Sequence, residues 1–348
     1  MRIVRVAVAV FLVAVLALAY RVVTRSGMFA RIEPHFAGTC RVVPGVVGAE
    51  DVTIDPDQRV AYLSAQDRRA LRGKEGPRGE IYLLPLDDER AAPVPLTGGQ
   101  PRDFHPHGIS LWRGEDGLRR LFVINHRSDG RHTVEVFDIA EAALSHTRTV
   151  HYSELVSPND LVAVNGDRFY ATNDRGVAEP GLRQTLELYL ALPWSTVSYF
   201  DGRQGHFAAR GFAMANGIAR SADGHTIYVA ECLGRAVRVY ARNPISGELA
   251  ERQRISLPAC PDNIEVDEHG KLWVATHPRL FDLVGHAQDP SKRAPSQVFR
   301  VDPESGRAEE VYASGGDPLS AASTAAVLGR TMVLGAIFDP HVLVCSLP

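Results

Sequence analysis

The chain has 348 residues, of which 45% are hydrophobic and 23% are charged, and this ordinary globular composition suits one large β domain or two small domains. The formal net charge is −3 and no run of Lys or Arg stands out, which argues against nucleic acid as a partner. The 30 Gly and 22 Pro residues are spread along the chain as turn residues, so no low-complexity linker divides it.

The N-terminus has the pattern of an export segment. Met1 to Arg5 is basic, and Val6 to Tyr20 is apolar without a charge. Cleavage as a signal peptide would give a periplasmic or secreted protein, whereas Ile3 to Val23 would span a membrane if the flanking arginines reach the interfaces. We expect a retained signal-anchor helix over residues 1–25 and a connector over residues 26–39. The protein would then be exported and membrane-anchored.

Residues 40–348 are expected to form one domain from a repeated unit of a polar pair, a short apolar strand, a turn and a second strand. The first unit opens at Glu50 and Asp51 and continues through Val52-Thr53-Ile54. Equivalent strand openings, 46 to 61 residues apart, are Val52, Ile109, Leu161, Ile218, Ile264 and Ala325. Short strands with a period of about 50 residues are typical of propeller blades, so the sequence predicts an all-β fold, a six-bladed β-propeller.

The residues that open the inner strands carry oxygen atoms, with one imidazole among them. They are Glu50, Asp51, His107, Asn159, Asp160, Asn216, Asp262, Asn263 and Ser323. Because the innermost strands of a propeller run along its channel, these side chains converge at one end. Hard oxygen ligands suit calcium, whereas zinc or copper would require more His or Cys. Asn and Asp before a strand are otherwise ordinary turn residues, but their common phase with the repeat favours a metal site.

Two histidines lie beside this predicted site. His107 opens the second inner strand, and His126 ends the next strand, which returns to the same face. A lone histidine at a strand end is usually an ordinary hydrogen-bonded residue, but a pair beside a metal site is a candidate acid/base pair. Asp174 and His277 also end second strands, and they are candidate pocket residues.

The four cysteines are Cys40, Cys232, Cys260 and Cys345. In an exported protein, Cys40 before the first unit and Cys345 after the last would staple the ends of a closed ring. Such a bridge contributes roughly 5 kcal/mol by the chain-entropy estimate. Cys232 and Cys260 are interpreted as buried free thiols, although pairing of all four would allow three connectivities.

Three longer segments connect the strands. Leu186 to Tyr199 is expected to form a short helix or two more strands, and Asp282 to Ser296 a loop over one face. Gln66 to Gly79 is predicted to be an exposed, basic loop. Its charged residues are Asp67, Arg68, Arg69, Arg72, Lys74, Glu75 and Arg78.

Eight short segments together resemble the paraoxonase/arylesterase family of calcium-dependent six-bladed propeller hydrolases, over about residues 40–345. They are Gly-Ala-Glu-Asp (48–51), Pro-His-Gly-Ile-Ser (106–110), Val-Ile-Asn-His (123–126), Pro-Asn-Asp (158–160), Tyr-Ala-Thr-Asn-Asp (170–174), Ala-Asn-Gly-Ile (215–218), Asp-Asn-Ile (262–264) and Trp-Val-Ala-Thr-His-Pro (273–278). The resemblance implies hydrolysis of small-molecule lactones and aryl esters with two calcium ions, one catalytic and one structural.

The resemblance also implies roles for individual residues. The catalytic calcium would be held by Glu50, Asn159, Asn216, Asp262 and Asn263. The structural calcium would be held by Asp51, Asp160 and the backbone carbonyl of Ile109. The histidine dyad of the family falls on His107 and His126, and its disulfide on Cys40 and Cys345.

Two departures from the family pattern lie in the pocket. Arg175 stands where the animal enzymes carry a histidine, and the Gln66 to Gly79 loop lacks the tyrosine of the family. Substrate preference is therefore open, and the alternatives are a sugar lactonase or phosphotriesterase, or a calcium-stabilised propeller that only binds a partner. In the expected mechanism calcium polarises the carbonyl while His107 deprotonates a water that His126 helps to orient.

Overall fold

The computed structural model describes residues 2–72, 76–140 and 143–348, so Lys74 and Glu75 of the predicted basic loop lie outside the described residues. Twenty-four strands within these ranges form six four-stranded antiparallel sheets. The innermost strand of each sheet contacts the innermost strands of the two neighbouring sheets, which closes the sheets into a ring. The predicted six-bladed β-propeller is confirmed.

The strands follow one another along the chain, and each blade begins with its innermost strand. The chain enters the ring through β1 (Thr39–Pro44), which belongs to the last blade. Blade 1 consists of β2 (Ala49–Asp55), β3 (Val60–Ala65), β4 (Glu80–Pro85) and β5 (Val94–Pro95). Blade 2 consists of β6 (Pro106–Arg113), β7 (Arg119–His126), β8 (His132–Ala140) and β9 (Ala143–Val150). Blade 3 consists of β10 (Pro158–Ala163), β11 (Phe169–Asn173), β12 (Ser195–Phe200) and β13 (Gly205–Phe212).

The second half of the ring is built in the same way. Blade 4 consists of β14 (Ala215–Arg220), β15 (Thr226–Glu231), β16 (Ala236–Arg242) and β17 (Leu249–Ser256). Blade 5 consists of β18 (Cys260–Val266), β19 (Leu272–His277), β20 (Ser296–Val301) and β21 (Ala308–Ser314). Blade 6 consists of β22 (Ala322–Leu328), β23 (Thr331–Ala336), β24 (His341–Ser346) and β1.

Apolar side chains pack between neighbouring blades. In the described part of the chain, six clusters of buried residues each join two adjacent blades. Between blades 1 and 2, for example, Tyr62 and Ile81 pack with Leu121 and Phe137. The inner strands are enclosed on both faces, and every residue of β10 is buried. Because the core lies between blades, the polar residues that open the inner strands are left to line the channel.

The two ends of the chain close the ring. Strand β1 pairs antiparallel with β24, and Cys40 faces Cys345 in this register. The two cysteines form a disulfide with their Cα atoms 3.9 Å apart. The expected bridge between the ends of the repeat is therefore confirmed, and it lies on the outer edge of blade 6.

The interpretation of Cys232 and Cys260 as free thiols is wrong. They form a second disulfide, with their Cα atoms 4.3 Å apart. Cys232 directly follows β15 of blade 4, and Cys260 begins β18 of blade 5. The bridge therefore joins two neighbouring blades, and this proximity depends on how the blades are arranged around the ring.

Helices lie outside the blades: α1 (Arg2–Arg25), α2 (Leu182–Leu190), α3 (Leu280–Gln288) and a short 3-10 turn at Ala70–Arg72. Among the described residues no helix is long and apolar enough to cross a membrane. The segment from Leu186 to Tyr199, expected to be either a helix or two strands, contains the end of α2 and most of β12. The expectation of a loop over Asp282 to Ser296 is wrong up to Gln288, because α3 occupies that part and buries His286.

Candidate active site

The N-terminal ends of the innermost strands meet at one mouth of the channel. The Asn263 side-chain amide donates to the backbone carbonyl and Oε1 of Glu50 at 3.1 and 3.0 Å. Ser323 Oγ donates to the same carbonyl at 2.6 Å, and His107 Nε2 lies 3.3 Å from Glu50 Oε2. Residues from blades 1, 2, 5 and 6 are thus brought together, as the phase of the repeat predicts.

A cavity of about 350 Å³ lies at the other end of the channel, between the C-terminal ends of the inner strands. Ile54, Arg113, Arg220, Glu268 and Leu328 are among the residues that line it. This cavity lies away from the titratable and amide side chains predicted from the sequence, which converge at the opposite mouth of the channel.

Three amide oxygens at this mouth are buried without a hydrogen-bond partner among the described residues: Asn159 Oδ1, Asn216 Oδ1 and Asn263 Oδ1. Glu50 Oε2 is also buried, and it faces His107 Nε2 at 3.3 Å and Arg68 Nη2 at 3.7 Å. The three asparagines and Glu50 are at most 7% exposed. A buried acceptor without a donor is costly, so a cluster of such oxygens is the arrangement expected around a bound cation.

Asp262 belongs to the same cluster. Its Oδ2 lies 2.6 Å from His277 Nε2, and both side chains are buried. Burial raises the pKa of Asp262, although His277 partly offsets this effect. Burial alone would also raise the pKa of Glu50. Its contacts with His107, Arg68 and Asn263 together outweigh burial and lower this pKa to about 2.

Asp51 and Asp160 form a second buried group beneath the first. Asp51 accepts the backbone N–H groups of Val52 and of Ile109 in the next blade, at 2.8 and 2.7 Å. Asp160 accepts those of Leu161 and Ile218 in the same way, both at 2.7 Å. Each carboxylate therefore ties the inner strand of its own blade to the next.

The charges of these two carboxylates are unfavourable together. Burial, and then the Glu50 carboxylate, raise the pKa of Asp51 to about 8. Burial, and then Asp51, raise the pKa of Asp160 well above its usual value. A divalent cation between two such carboxylates would remove this repulsion and favour their ionised forms.

Two glycines permit the close approach of the inner strands. A Cβ atom on Gly108 would lie 2.4 Å from both Cα and Oδ1 of Asp160. A Cβ atom on Gly217 would lie 2.5 Å from Cα of Asn263. Each glycine directly follows a strand opener, His107 or Asn216, so the compactness of the oxygen cluster depends on their missing side chains.

The donor set fits calcium better than zinc. Within the described residues, no group of three or more His, Cys, Asp or Glu side chains is arranged to hold a metal ion. The oxygen cluster around Glu50 instead combines two carboxylates with three amides, and amide oxygens are typical calcium ligands. The carboxylates are Glu50 and Asp262, and the amides are Asn159, Asn216 and Asn263. The case for a cation therefore rests on the partnerless amide oxygens.

The two predicted histidines are in contact, and a third histidine extends the pair. His107 Nδ1 lies 2.8 Å from His126 Nε2, and His126 Nδ1 lies 2.9 Å from His132 Nδ1. Burial, then His107 and His132, lower the pKa of His126 well below its usual value. Burial, and then Arg175, also lower the pKa of His132. Both shifts favour the neutral form of the imidazole.

The remaining predicted pocket residues border these clusters. Arg175 Nε donates to Asp174 Oδ1 at 3.0 Å and to Ser157 Oγ at 3.1 Å. Arg175 is near enough to lower the pKa of both His126 and His132. His277 contacts the oxygen cluster through Asp262, so all three predicted pocket residues lie around one site.

Comparison with known proteins identifies the family. A family model described as Arylesterase matches residues 39–347. The human serum paraoxonase/arylesterase 1 is 33% identical over 337 residues, which cover 93% of both chains. The rat serum paraoxonase/arylesterase 2 is 32% identical over 319 residues and 88% of both chains.

The chain belongs to the arylesterase family. The resemblance found in the sequence motifs is thereby confirmed. The matched region begins one residue before Cys40 and ends two residues after Cys345, so it coincides with the closed ring.

Solved structures share the fold of this arylesterase. A gluconolactonase from Xanthomonas campestris has a TM-score of 0.58 with 19% identity, over 89% of this chain and 90% of that chain. The calcium-binding protein regucalcin from Agrobacterium tumefaciens has a TM-score of 0.53 with 14% identity, over 90% and 94% of the two chains. At these identities the likeness concerns the propeller architecture alone.

The start of the predicted exposed loop is folded against the candidate site, so that expectation is wrong there. Gln66 is 3% exposed, and the side chain of Arg68 is 16% exposed. Arg68 Nη1 donates to the carbonyl of Gly48 at 3.0 Å, while its Nη2 lies 3.7 Å from Glu50 Oε2. The guanidinium points toward the channel because the Gly48 carbonyl and the Glu50 carboxylate, at the start of β2, act as its acceptors.

Arg69 attaches the same loop to other parts of the ring. It donates to the backbone carbonyls of Phe338 and His286 at 3.1 and 2.9 Å. Its guanidinium also lies 4.8 Å from the centre of the Phe338 ring, a cation–π contact. The loop is thereby joined to α3 and to the connection between β23 and β24 in blade 6.

Proposed function

We propose that this arylesterase hydrolyses lactones and aryl esters at the calcium-binding mouth of the channel, with His107 as the general base. Family membership makes the chain a carboxylic ester hydrolase. The observation that carries the assignment of the site is the 3.3 Å approach of His107 Nε2 to Glu50 Oε2. An imidazole nitrogen at this position can serve as a general base beside the oxygens that suit a cation.

The two clusters would hold two ions. The catalytic ion would be held by Glu50, Asn159, Asn216, Asp262 and Asn263. The structural ion would be held by Asp51, Asp160 and the backbone carbonyl of Ile109. When bound, the catalytic calcium supplies a Lewis acid for the carbonyl oxygen and stabilises the negative charge that develops there.

The protein side chains would handle the proton. His107 Nε2 takes a proton from the attacking water, while His107 Nδ1 stays hydrogen-bonded to His126 Nε2. The Asn263 amide holds Glu50 Oε1, while Glu50 Oε2 faces His107 Nε2 and would be available to hold the cation. His107 then returns the proton to the leaving oxygen as the tetrahedral intermediate collapses.

A substrate panel with and without a chelator tests this function. We expect the purified protein to hydrolyse acyl-homoserine or aliphatic lactones and phenyl acetate, to lose activity in EGTA, and to regain it with added calcium. Activity confined to gluconolactone would favour a sugar lactonase, and activity confined to phosphotriesters would favour a phosphotriesterase. Calcium-dependent stability without hydrolysis of any member would make the chain a binding protein.

The location of the protein is part of the proposal. Disulfides between residues of the described chain and relatives named for serum support export. We propose residues 1–25 as the export segment, 26–39 as a connector and 40–348 as the catalytic domain. Retention of the first segment as a membrane anchor is tested by cell fractionation. A carbonate-resistant membrane fraction would support it, and a shortened soluble product would contradict it.

A further inference from the structure

Three imidazole rings stand in series at the site. His107, His126 and His132 are joined by hydrogen bonds of 2.8 and 2.9 Å. His132 begins β8 and is directly paired with His126 at the end of β7. The series therefore starts at Glu50 inside the channel and ends at the hairpin turn between these two strands.

The proposed function determines which nitrogen carries each hydrogen. A base at His107 Nε2 must be unprotonated, so the His107 hydrogen is on Nδ1 and is donated to His126 Nε2. His126 then carries its hydrogen on Nδ1 and donates it to His132 Nδ1. His132 is left with its hydrogen on Nε2, at the end of the series away from Glu50. Each of the two contacts receives one hydrogen, and no contact is left with two or none.

The surroundings of His132 differ from those of the other two rings. Asp174 and Arg175 from the end of β11 act on it electrostatically, as do His107 and the exposed His151. The His151 ring contacts the backbone carbonyl of His132 at 2.9 Å and does not bond the His132 ring. Burial and the neighbouring Arg175 disfavour a positive charge on His132, so a neutral His132 ring is suited to accept a hydrogen bond from His126.

We propose that His132 is a positioning residue of the reaction: it accepts the His126 Nδ1 hydrogen and thereby fixes the orientation and the tautomer of the His126 ring. This proposal rests on the proposed function. With its hydrogen held on Nδ1, His126 presents an unprotonated Nε2 to the Nδ1 hydrogen of His107, which leaves His107 Nε2 available for the water proton.

Kinetics of His132 variants test this positioning role. His132→Gln should lower kcat roughly 10- to 100-fold, at or below the lower end of direct acid–base catalysis, with KM and calcium affinity unchanged. His151→Gln is the matched control and should keep the wild-type kcat. Added imidazole should restore part of the rate of His132→Ala, which a purely structural defect would not permit. A wild-type kcat in His132→Gln, or a loss that appears in KM or calcium affinity, would overturn the proposal.

A second readout does not depend on turnover. Nitrogen-15 NMR of histidine-labelled protein should show His126 protonated at Nδ1 and His132 at Nε2, and the His126 Nδ1 hydrogen should exchange faster with water in His132→Ala. Protonation of His126 at Nε2 instead would contradict the proposed role of His132. If the wild-type protein hydrolyses no ester or lactone, the proposed function fails, while the NMR result still decides whether the three rings are ordered as inferred.

Discussion

Removal of the Cys40–Cys345 disulfide is expected to destabilise the folded chain more than removal of Cys232–Cys260. The first bridge joins residues 305 apart in the sequence, and the second joins residues 28 apart. The matched variants are C40A/C345A and C232A/C260A, since each removes one bridge without leaving an unpaired thiol.

The magnitude follows from the lengths of the two loops. A bridge restricts the unfolded chain, and in the chain-entropy account its effect grows with the logarithm of the loop length. Separations of 305 and 28 residues correspond to about 5.7 and about 3.6 kcal/mol at 25 °C. The folded ring stays closed in C40A/C345A because β1 remains paired with β24. The two losses in the free energy of unfolding should therefore differ by about 2 kcal/mol.

Equilibrium urea denaturation of both variants measures this difference, with mass mapping to verify the remaining bridge. Calcium binding should be unchanged in C40A/C345A, because the bridge lies on the outer edge of blade 6, away from the channel. Equal losses of stability, or a larger loss in C232A/C260A, would refute the account in which the first bridge acts on the unfolded chain.

Three further predictions concern the site and its supports. Gly108→Ala should lower the free energy of unfolding by about 1–3 kcal/mol in thermal or urea melts, because its Cβ would collide with Asp160, whereas Gly315→Ala, with no atom within 4 Å of the new Cβ, should be neutral. Chelation of calcium should lower the melting temperature of the wild-type protein, and Asp51→Ala should have a lower melting temperature even in calcium buffer. A wild-type melting temperature in Asp51→Ala, with two calcium ions still bound, would contradict the proposed structural ion. Arg69→Ala should speed limited proteolysis within residues 66–79, since it removes two carbonyl contacts, and an unchanged cleavage rate would show that other contacts hold the loop.

The propeller and most of its site were predictable because both follow from the repeat. The inner-strand openers occur in phase along the chain, and a closed ring brings every opener to the same mouth. Glu50, Asn263 and His107 therefore converge although they are far apart in sequence. The end-to-end bridge was predictable for the same reason, since a ring brings the first and last strands together.

Other features depend on contacts that the repeat does not encode. The Cys232–Cys260 bridge joins the end of a second strand to the start of the next inner strand, and their distance depends on the angle between two blades. The helix α3 is only nine residues long and contains Gly285, so its apolar spacing is too brief to outweigh a loop interpretation. Tertiary packing, with His286 buried beneath the helix, stabilises it.

The side chains missed at the site have a similar explanation. The sequence predicts Arg68 to be exposed, because a basic, glycine-containing segment usually lies at the surface, yet its side chain contacts Gly48 and Glu50. One feature of the sequence indicates that His132 lies beside His126. His132 is the sixth residue after His126, across a turn that contains Asp129-Gly130, and the hairpin register that places the two histidines opposite each other follows from that turn.

The most direct test of the central claim is the rate of lactone hydrolysis as a function of free calcium in the wild-type protein and in His107→Gln. If His107 is the base beside a calcium held by the oxygen cluster, the two proteins should reach half-maximal activity at the same calcium concentration. The maximal rate of His107→Gln should be roughly 10² to 10⁴-fold lower. An unchanged maximal rate, or a calcium requirement that moves with the substitution, would contradict this assignment of the base and the metal site.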